Sequence, residues 1–203
     1  LTNSWIQLDA EDRLILGTGS VWLRFHLGEG ANFTGNAIRN DVLTQGGGTV
    51  DGGGGDDFLQ LQEGNDLSST LLGGDGNDTV LGNYTDKFPW AHELFRYAMH
   101  VGSTNDVLNG GAGSDYIIFD LADTVTGGAG NDRLVGYAGI GQTSRVNDFD
   151  RGEDRLQINL DPATCTAADG SFSTGDITWA WDGQTITFRV DGQEVMVIET
   201  DEY

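Results

Sequence analysis

An all-β fold wound from short repeated strands is what this sequence predicts, and three observations predict it. A nine-residue pattern, Gly-Gly-x-Gly-x-Asp-x-apolar-x, occurs in full four times: GGGGDDFLQ (52–60), GGDGNDTVL (73–81), GGAGSDYII (110–118) and GGAGNDRLV (127–135). A pattern repeated at that period is the mark of a stacked-repeat architecture rather than of a flexible linker. Outside the copies, VWLRFHL (21–27) alternates apolar and polar residues, and DITWAWDGQTITFRVDGQEVMVIE (176–199) does so in three runs separated by Asp-Gly pairs. Alternation of this kind denotes half-buried strands, and Asp-Gly between such runs denotes hairpin turns.

Glycine and aspartate are poor strand formers, so their place directly before β-prone residues needs a stabiliser. Glycine permits positive φ and close backbone approach, which lets several carbonyl groups turn toward one point. Asp57, Asp78, Asp115 and Asp132 add a carboxylate to each such turn. A hard cation that takes about six to eight oxygen ligands suits that surrounding. Leu59, Val80, Ile117 and Leu134, two places after each aspartate, are the expected core.

These four stretches match the formula of the calcium-binding nonapeptide repeats of RTX (hemolysin-type) proteins, which this chain resembles. The resemblance implies a right-handed parallel β-roll, in which six residues of each repeat turn around calcium (Ca2+) and three form a strand. It makes Gly52, Gly53, Gly55 and Asp57 of the first copy metal-site residues, with Gly73, Gly74, Gly76 and Asp78 of the second. Gly110, Gly111, Gly113 and Asp115 follow in the third, and Gly127, Gly128, Gly130 and Asp132 in the fourth. Calcium in the family sits between turns one full coil apart. Asp115 with Asp132 fits that separation best; Asp106 with Asp123 has the same spacing on the opposite side. Pairing Asp57 with Asp78 requires extra residues near 68–71 to loop out.

In chain order, residues 1–34 are read as N-terminal capping strands, residues 35–155 as the roll, and residues 156–203 as C-terminal capping hairpins. Weaker copies fill the gaps: NAIRNDVLT (36–44) keeps Asp41 and Leu43, LQEGNDLSS (61–69) keeps Gly64 and Asp66, VGSTNDVLN (101–109) keeps Asp106, and IFDLADTVT (118–126) keeps Asp123. Asp66, Asp106 and Asp123 complete the candidate ligands. One interruption, over 83–100, contains Pro89, well placed to start a helix, followed by helix formers, and predicts a short helical insertion. On it Trp90, Leu94 and Tyr97 would form one stripe and His92, Arg96 and His100 another. The aromatic stripe is read first as packing on the roll; the alternative is a surface for an acidic polysaccharide. The segment VNDFDRGEDRLQI (146–158) resembles the one that closes such rolls, where Asp148 and Asp154 would add a last site.

Thirty-two acidic residues against ten basic ones give a formal charge of −22. Self-repulsion on that scale opposes compaction, and several bound calcium ions would offset it, so folding is expected to couple to calcium. The sign of the charge argues against nucleic acid. With 37% hydrophobic residues and five tryptophans, an acidic disordered chain is the poorer reading. No His-Glu-x-x-His or Gly-x-Ser-x-Gly motif occurs, and HELFRYAMH (92–100) has the wrong spacing for zinc. Asp161-Pro162 reads as a turn before it reads as a self-cleavage site, and the lone Cys165 as structural. No run is apolar enough to span a bilayer. The expected role is a non-catalytic, secreted module, exported by a type I route, that folds on calcium and supports a larger protein. The alternative is a calcium-dependent binding module for a polysaccharide, a cell surface or a neighbouring catalytic domain.

Overall fold

The computed structural model describes residues 5–9, 12–17, 23–62, 67–82, 105–139, 141–160 and 177–200. Its strands, in chain order, are β1 (Trp5–Leu8), β2 (Arg13–Ile15), β3 (Leu23–Leu27), β4 (Asn32–Asn36), β5 (Asn40–Thr44), β6 (Thr49–Gly54), β7 (Phe58–Leu61), β8 (Thr70–Asp75) and β9 (Thr79–Leu81). They continue with β10 (Val107–Ala112), β11 (Tyr116–Phe119), β12 (Thr124–Ala129), β13 (Arg133–Ala138), β14 (Ser144–Phe149), β15 (Arg155–Leu160), β16 (Ile177–Trp181), β17 (Thr185–Val190) and β18 (Gln193–Thr200). There is no helix among the described residues. The expected insertion helix over 83–100 lies outside them, as do Asp66, Asp161-Pro162 and Cys165.

The chain alternates between two sheets. Odd strands β1 to β15 form an eight-stranded parallel sheet, and the even strands β2 to β14 form the parallel part of a ten-stranded one. Each odd–even pair is one coil of a parallel β-roll. Val107 lies opposite Thr124 and Tyr116 opposite Arg133, so the undisturbed coil is 17 residues long. Side chains alternate across a strand, and the repeat places its apolar residue inward on every coil. Leu59, Val80, Ile117 and Leu134 from the odd sheet meet Val50, Leu71, Leu108 and Val125 from the even one, all fully buried. Phe25 and Phe33 fill the N-terminal coils with ring centroids 4.6 Å apart.

Three features differ from the sequence expectation. The strands before residue 35 join the same two ladders, Trp5 opposite Arg24 and Leu14 opposite Phe33, because their apolar alternation meets the same interior. The extra residues of the coil from Asp57 to Asp78 fall before Ser69 rather than over 68–71, since Thr70 and Leu71 are already paired in β8 with Thr49 and Val50. Finally, Leu81, Ile118 and Val135 point away from the core yet are buried, with Phe58, Tyr116 and Tyr137 beside them on the outer face of the odd sheet.

The C-terminal hairpins extend the even sheet. Strand β18 pairs parallel with β14, then β17 and β16 follow antiparallel. Both turns are the expected Asp-Gly pairs. At Asp182 the carboxylate accepts N–H groups from Gln184 (3.0 Å) and Thr185 (2.8 Å), which holds its pKa below the usual value. Asp191 and Gly192 adopt φ of 50° and 76°, the two positive values that a tight hairpin demands. Val190, Val195, Met196 and Ile198 close the end of the core, as the terminal units of a repeat array must.

Candidate metal centres

Four glycine-rich turns carry the chain from an even strand to the next odd one, and they stack along one edge of the roll. Their aspartates form a continuous ladder. Asp57 Oδ1 accepts the Asn40 N–H at 2.6 Å, Asp78 Oδ1 the Asp57 N–H at 2.7 Å, and Asp115 Oδ1 the Asp78 N–H at 2.7 Å. Asp132 Oδ1 then accepts from Asp115 at 2.9 Å, and Asp154 Oδ1 from Asp132 at 2.9 Å. Each carboxylate thus ties one coil to the coil before it.

The second oxygen is the informative one. Oδ2 of Asp57, Asp78, Asp115 and Asp132 is buried in every case and has no hydrogen-bond partner. Buried polar atoms are nearly always paired, so four equivalent exceptions require an account. The first glycine of each repeat shows what surrounds them. A Cβ on Gly73 would collide with Asp78 Oδ2 and with the Gly110 carbonyl oxygen of the next coil. Gly52 stands in the same relation to Asp57 Oδ2 and the Gly73 oxygen, and Gly110 to Asp115 Oδ2 and the Gly127 oxygen; Gly127 faces Asp132 Oδ2. A carboxylate oxygen and a carbonyl oxygen therefore converge on a cradle that any side chain would fill. The second and fourth glycines have a different duty. Gly74 has φ 111° and Gly76 φ 137°, and a Cβ on either would strike a carbonyl of the previous coil, Gly53 or Gly55. Gly53, Gly55, Gly111, Gly113, Gly128 and Gly130 also adopt positive φ.

Burial has an electrostatic consequence. Loss of water pushes Asp57 and Asp115 up to about 7 and raises Asp78 and Asp132 as well. Neighbouring carboxylates add to the shift, while the ladder N–H groups oppose it. Among the described residues no three Asp, Glu, His or Cys side chains converge on one point. An ion held here would take one carboxylate per coil and fill the rest of its shell with carbonyl oxygens. An all-oxygen, backbone-rich set fits calcium, which accepts irregular geometry, better than zinc or the rigid octahedron of magnesium.

Asp106 and Asp123 lie at the opposite edge. Ser69 N–H donates to Asp106 Oδ1 (2.6 Å), and Asp106 N–H to Asp123 Oδ1 (3.0 Å). Asp123 Oδ2 accepts from the Asp120 N–H at 3.0 Å, so both its oxygens have donors. Its carboxyl is held well above the usual range by burial, then by Asp120 and Asp106. The residues in register on either side, Ser69 and Ser144, bring no charge.

The sequence reading misses Asn40 and the fifth repeat position, and it names Asp148 without its partners. Asn40, not Asp41, occupies the ladder position of its coil; Asp41 sits one residue on and accepts from Arg24 (3.3 Å) and Arg39 (2.9 Å). The 17-residue step back from Asp57 was the available signal. Asp148 accepts the Gly127 and Gly128 N–H groups, both at 2.8 Å, one on each oxygen. The fifth repeat position makes an outer ladder: Asn77 N–H to Asp56 Oδ1 (2.9 Å) and Ser114 N–H to Asn77 Oδ1 (2.8 Å).

Comparison with known proteins bears on this edge directly. No curated protein gives a significant match to the chain. A family model described as the RTX calcium-binding nonapeptide repeat matches in four copies, over residues 42–80, 99–121 and 119–139. Those residues include every cradle described above, so this edge of the parallel β-roll is similar to RTX calcium-binding nonapeptide repeats.

Proposed function

We propose that the chain is a calcium-responsive folding module of a secreted protein, held apart by its own charge without the ion and wound into the roll when calcium is supplied outside the cell. The observation that carries this reading is the set of four buried, unpartnered Oδ2 atoms on one edge. Calcium, when bound, supplies positive charge where water has been removed. The residues do the rest: the Oδ1 ladder sets the coil spacing, the first glycines keep the cradles open, and the inward apolar residues wind up behind them. Sites built from single carboxylates and carbonyls fall in the weak range of calcium affinities, which suits the extracellular concentration. The module supports the folding and export of a longer polypeptide and performs no catalysis itself. Isothermal titration tests the reading: the wild-type chain should take up several calcium ions, and a variant with Asp57, Asp78, Asp115 and Asp132 all changed to Ala should lose most of that binding. Equal uptake by the two would refute it.

One observation favours a second reading, a calcium-dependent binding module. Trp179 and Trp181 point to the same face of edge strand β16 and are 67% and 50% exposed, with Ile177 beside them and the Arg151 guanidinium 5.2 Å over the Trp181 ring. Aromatic rings in a row suit stacking on sugar rings. Binding of the calcium-loaded chain to neutral and anionic glycans, lost in Trp179→Ala with unchanged melting, would support it.

A further inference from the structure

We infer that Asn40 ends the calcium array on its N-terminal side: its cradle resembles the other four at the first glycine but holds no ion. This rests on the calcium reading above. At its first glycine the coil of Asn40 repeats the contacts of the coils that follow. A Cβ on Gly35 would collide with Asn40 Oδ1 and the Gly52 carbonyl oxygen, as one on Gly52 would with Asp57 Oδ2 and the Gly73 oxygen. The Asn40 N–H joins the ladder at Asp57 Oδ1.

The turn itself lacks the later copies' second and fourth glycines, with Asn36 and Ile38 in their places and outside the positive-φ region, and the chemistry of the side chain differs. Asn40 is fully buried, its Oδ1 already accepts the Asn36 N–H at 3.3 Å, and its Nδ2 has no partner. Oδ1 faces the cradle, but a neutral amide brings no charge to balance a divalent cation. Calcium affinity is set largely by the number of charged ligands, so this cradle is left without the feature that drives occupancy.

The other end is closed by different means. Asp148 has a backbone N–H on each oxygen. Asp154 likewise accepts from Asp132 on Oδ1 and from Asp150 on Oδ2 at 2.9 Å. Between these two ends stand the four carboxylates with an unpartnered oxygen. The array is bounded by an amide at one end and, at the other, by carboxylates that hold an N–H on each oxygen.

Native mass spectrometry of the chain at saturating calcium, with circular dichroism to establish folding, tests the inference on two reciprocal variants. Asn40→Asp should bind one more ion than the wild type, and Asp57→Asn, which gives the second coil the Asn40 chemistry, should bind one fewer. An unchanged count in Asp57→Asn, or in a folded Asn40→Asp, would overturn it, because an asparagine cradle would then be shown to hold calcium. Should Asn40→Asp fail to fold, the count for Asp57→Asn decides alone. A wild type that binds no calcium would instead overturn the calcium reading itself.

Discussion

Replacing Asp115 by Asn should stabilise the calcium-free chain and lose most of that gain in calcium. The amide keeps an oxygen for the Asp78 N–H, which the carboxylate now holds at 2.7 Å, so the ladder survives. It replaces the unpartnered Oδ2 with an NH2 group beside the Gly127 carbonyl oxygen, which can accept from it. Without calcium, burial raises the Asp115 carboxyl from 3.8 to about 7, and a shift of about three units corresponds to a ceiling of roughly 4 kcal/mol. At pH 8 that penalty is fully present in the calcium-free wild type and absent from Asp115→Asn. Calcium offsets most of that gain. Losing one ion present at about 100 times its dissociation constant removes about 2.7 kcal/mol, or roughly 5–10 °C of melting temperature for a chain of this size. The assay is circular dichroism at pH 8, read as folded fraction in chelator and as thermal unfolding in millimolar calcium. An equal gain in both conditions would refute the assignment of Asp115 Oδ2 to the metal.

Three further outcomes follow from the same geometry. Asp57 and Asp115 have folded values near 7 above unfolded values near 4, so their contribution to the calcium-free fold is present below pH 4 and lost as pH rises through 7. Calcium-free protein should therefore be more ordered at pH 4 than at pH 8, and the calcium midpoint should rise as pH falls from 8 to 6; flat profiles would contradict the burial of these groups. Gly110→Ala should abolish one site, because the new methyl occupies the space between Asp115 Oδ2 and the Gly127 oxygen, whereas Gly54→Ala, whose nearest neighbour would lie at 3.5 Å, should bind calcium as the wild type does; titration calorimetry separates them. Asp132→Ala should raise the calcium midpoint more than Asp66→Ala, since Asp132 stands in the ladder of a complete repeat; equal midpoints would count against that ladder.

Much of this edge was legible in the sequence, because the same residues carry the period and the chemistry. Asp57, Asp78, Asp115 and Asp132 are both the fixed points of the repeat and the rungs of the ladder, and Leu59, Val80, Ile117 and Leu134 fill the core for the same reason. The Asp-Gly hairpins were legible from local turn chemistry alone. What was not legible depends on contacts between coils. Asn40 was passed over for Asp41 because a carboxylate is the more conspicuous residue, although burial and register decide which residue enters the ladder. Asp148 pairs with glycines about 20 residues earlier, a contact that no local pattern encodes. The strands β1 to β4 lack the glycine pattern and join the roll through apolar alternation alone, which cannot by itself distinguish a cap from a further coil.

The central claim is that calcium and the fold are one equilibrium, and circular dichroism of the whole chain in chelator, in millimolar magnesium and in millimolar calcium at pH 8 tests it most directly. The account predicts a largely unfolded spectrum in the first two conditions and a β spectrum, with ordered aromatic signals, in the third. A β spectrum in chelator, with a melting temperature that calcium leaves unchanged, would contradict it.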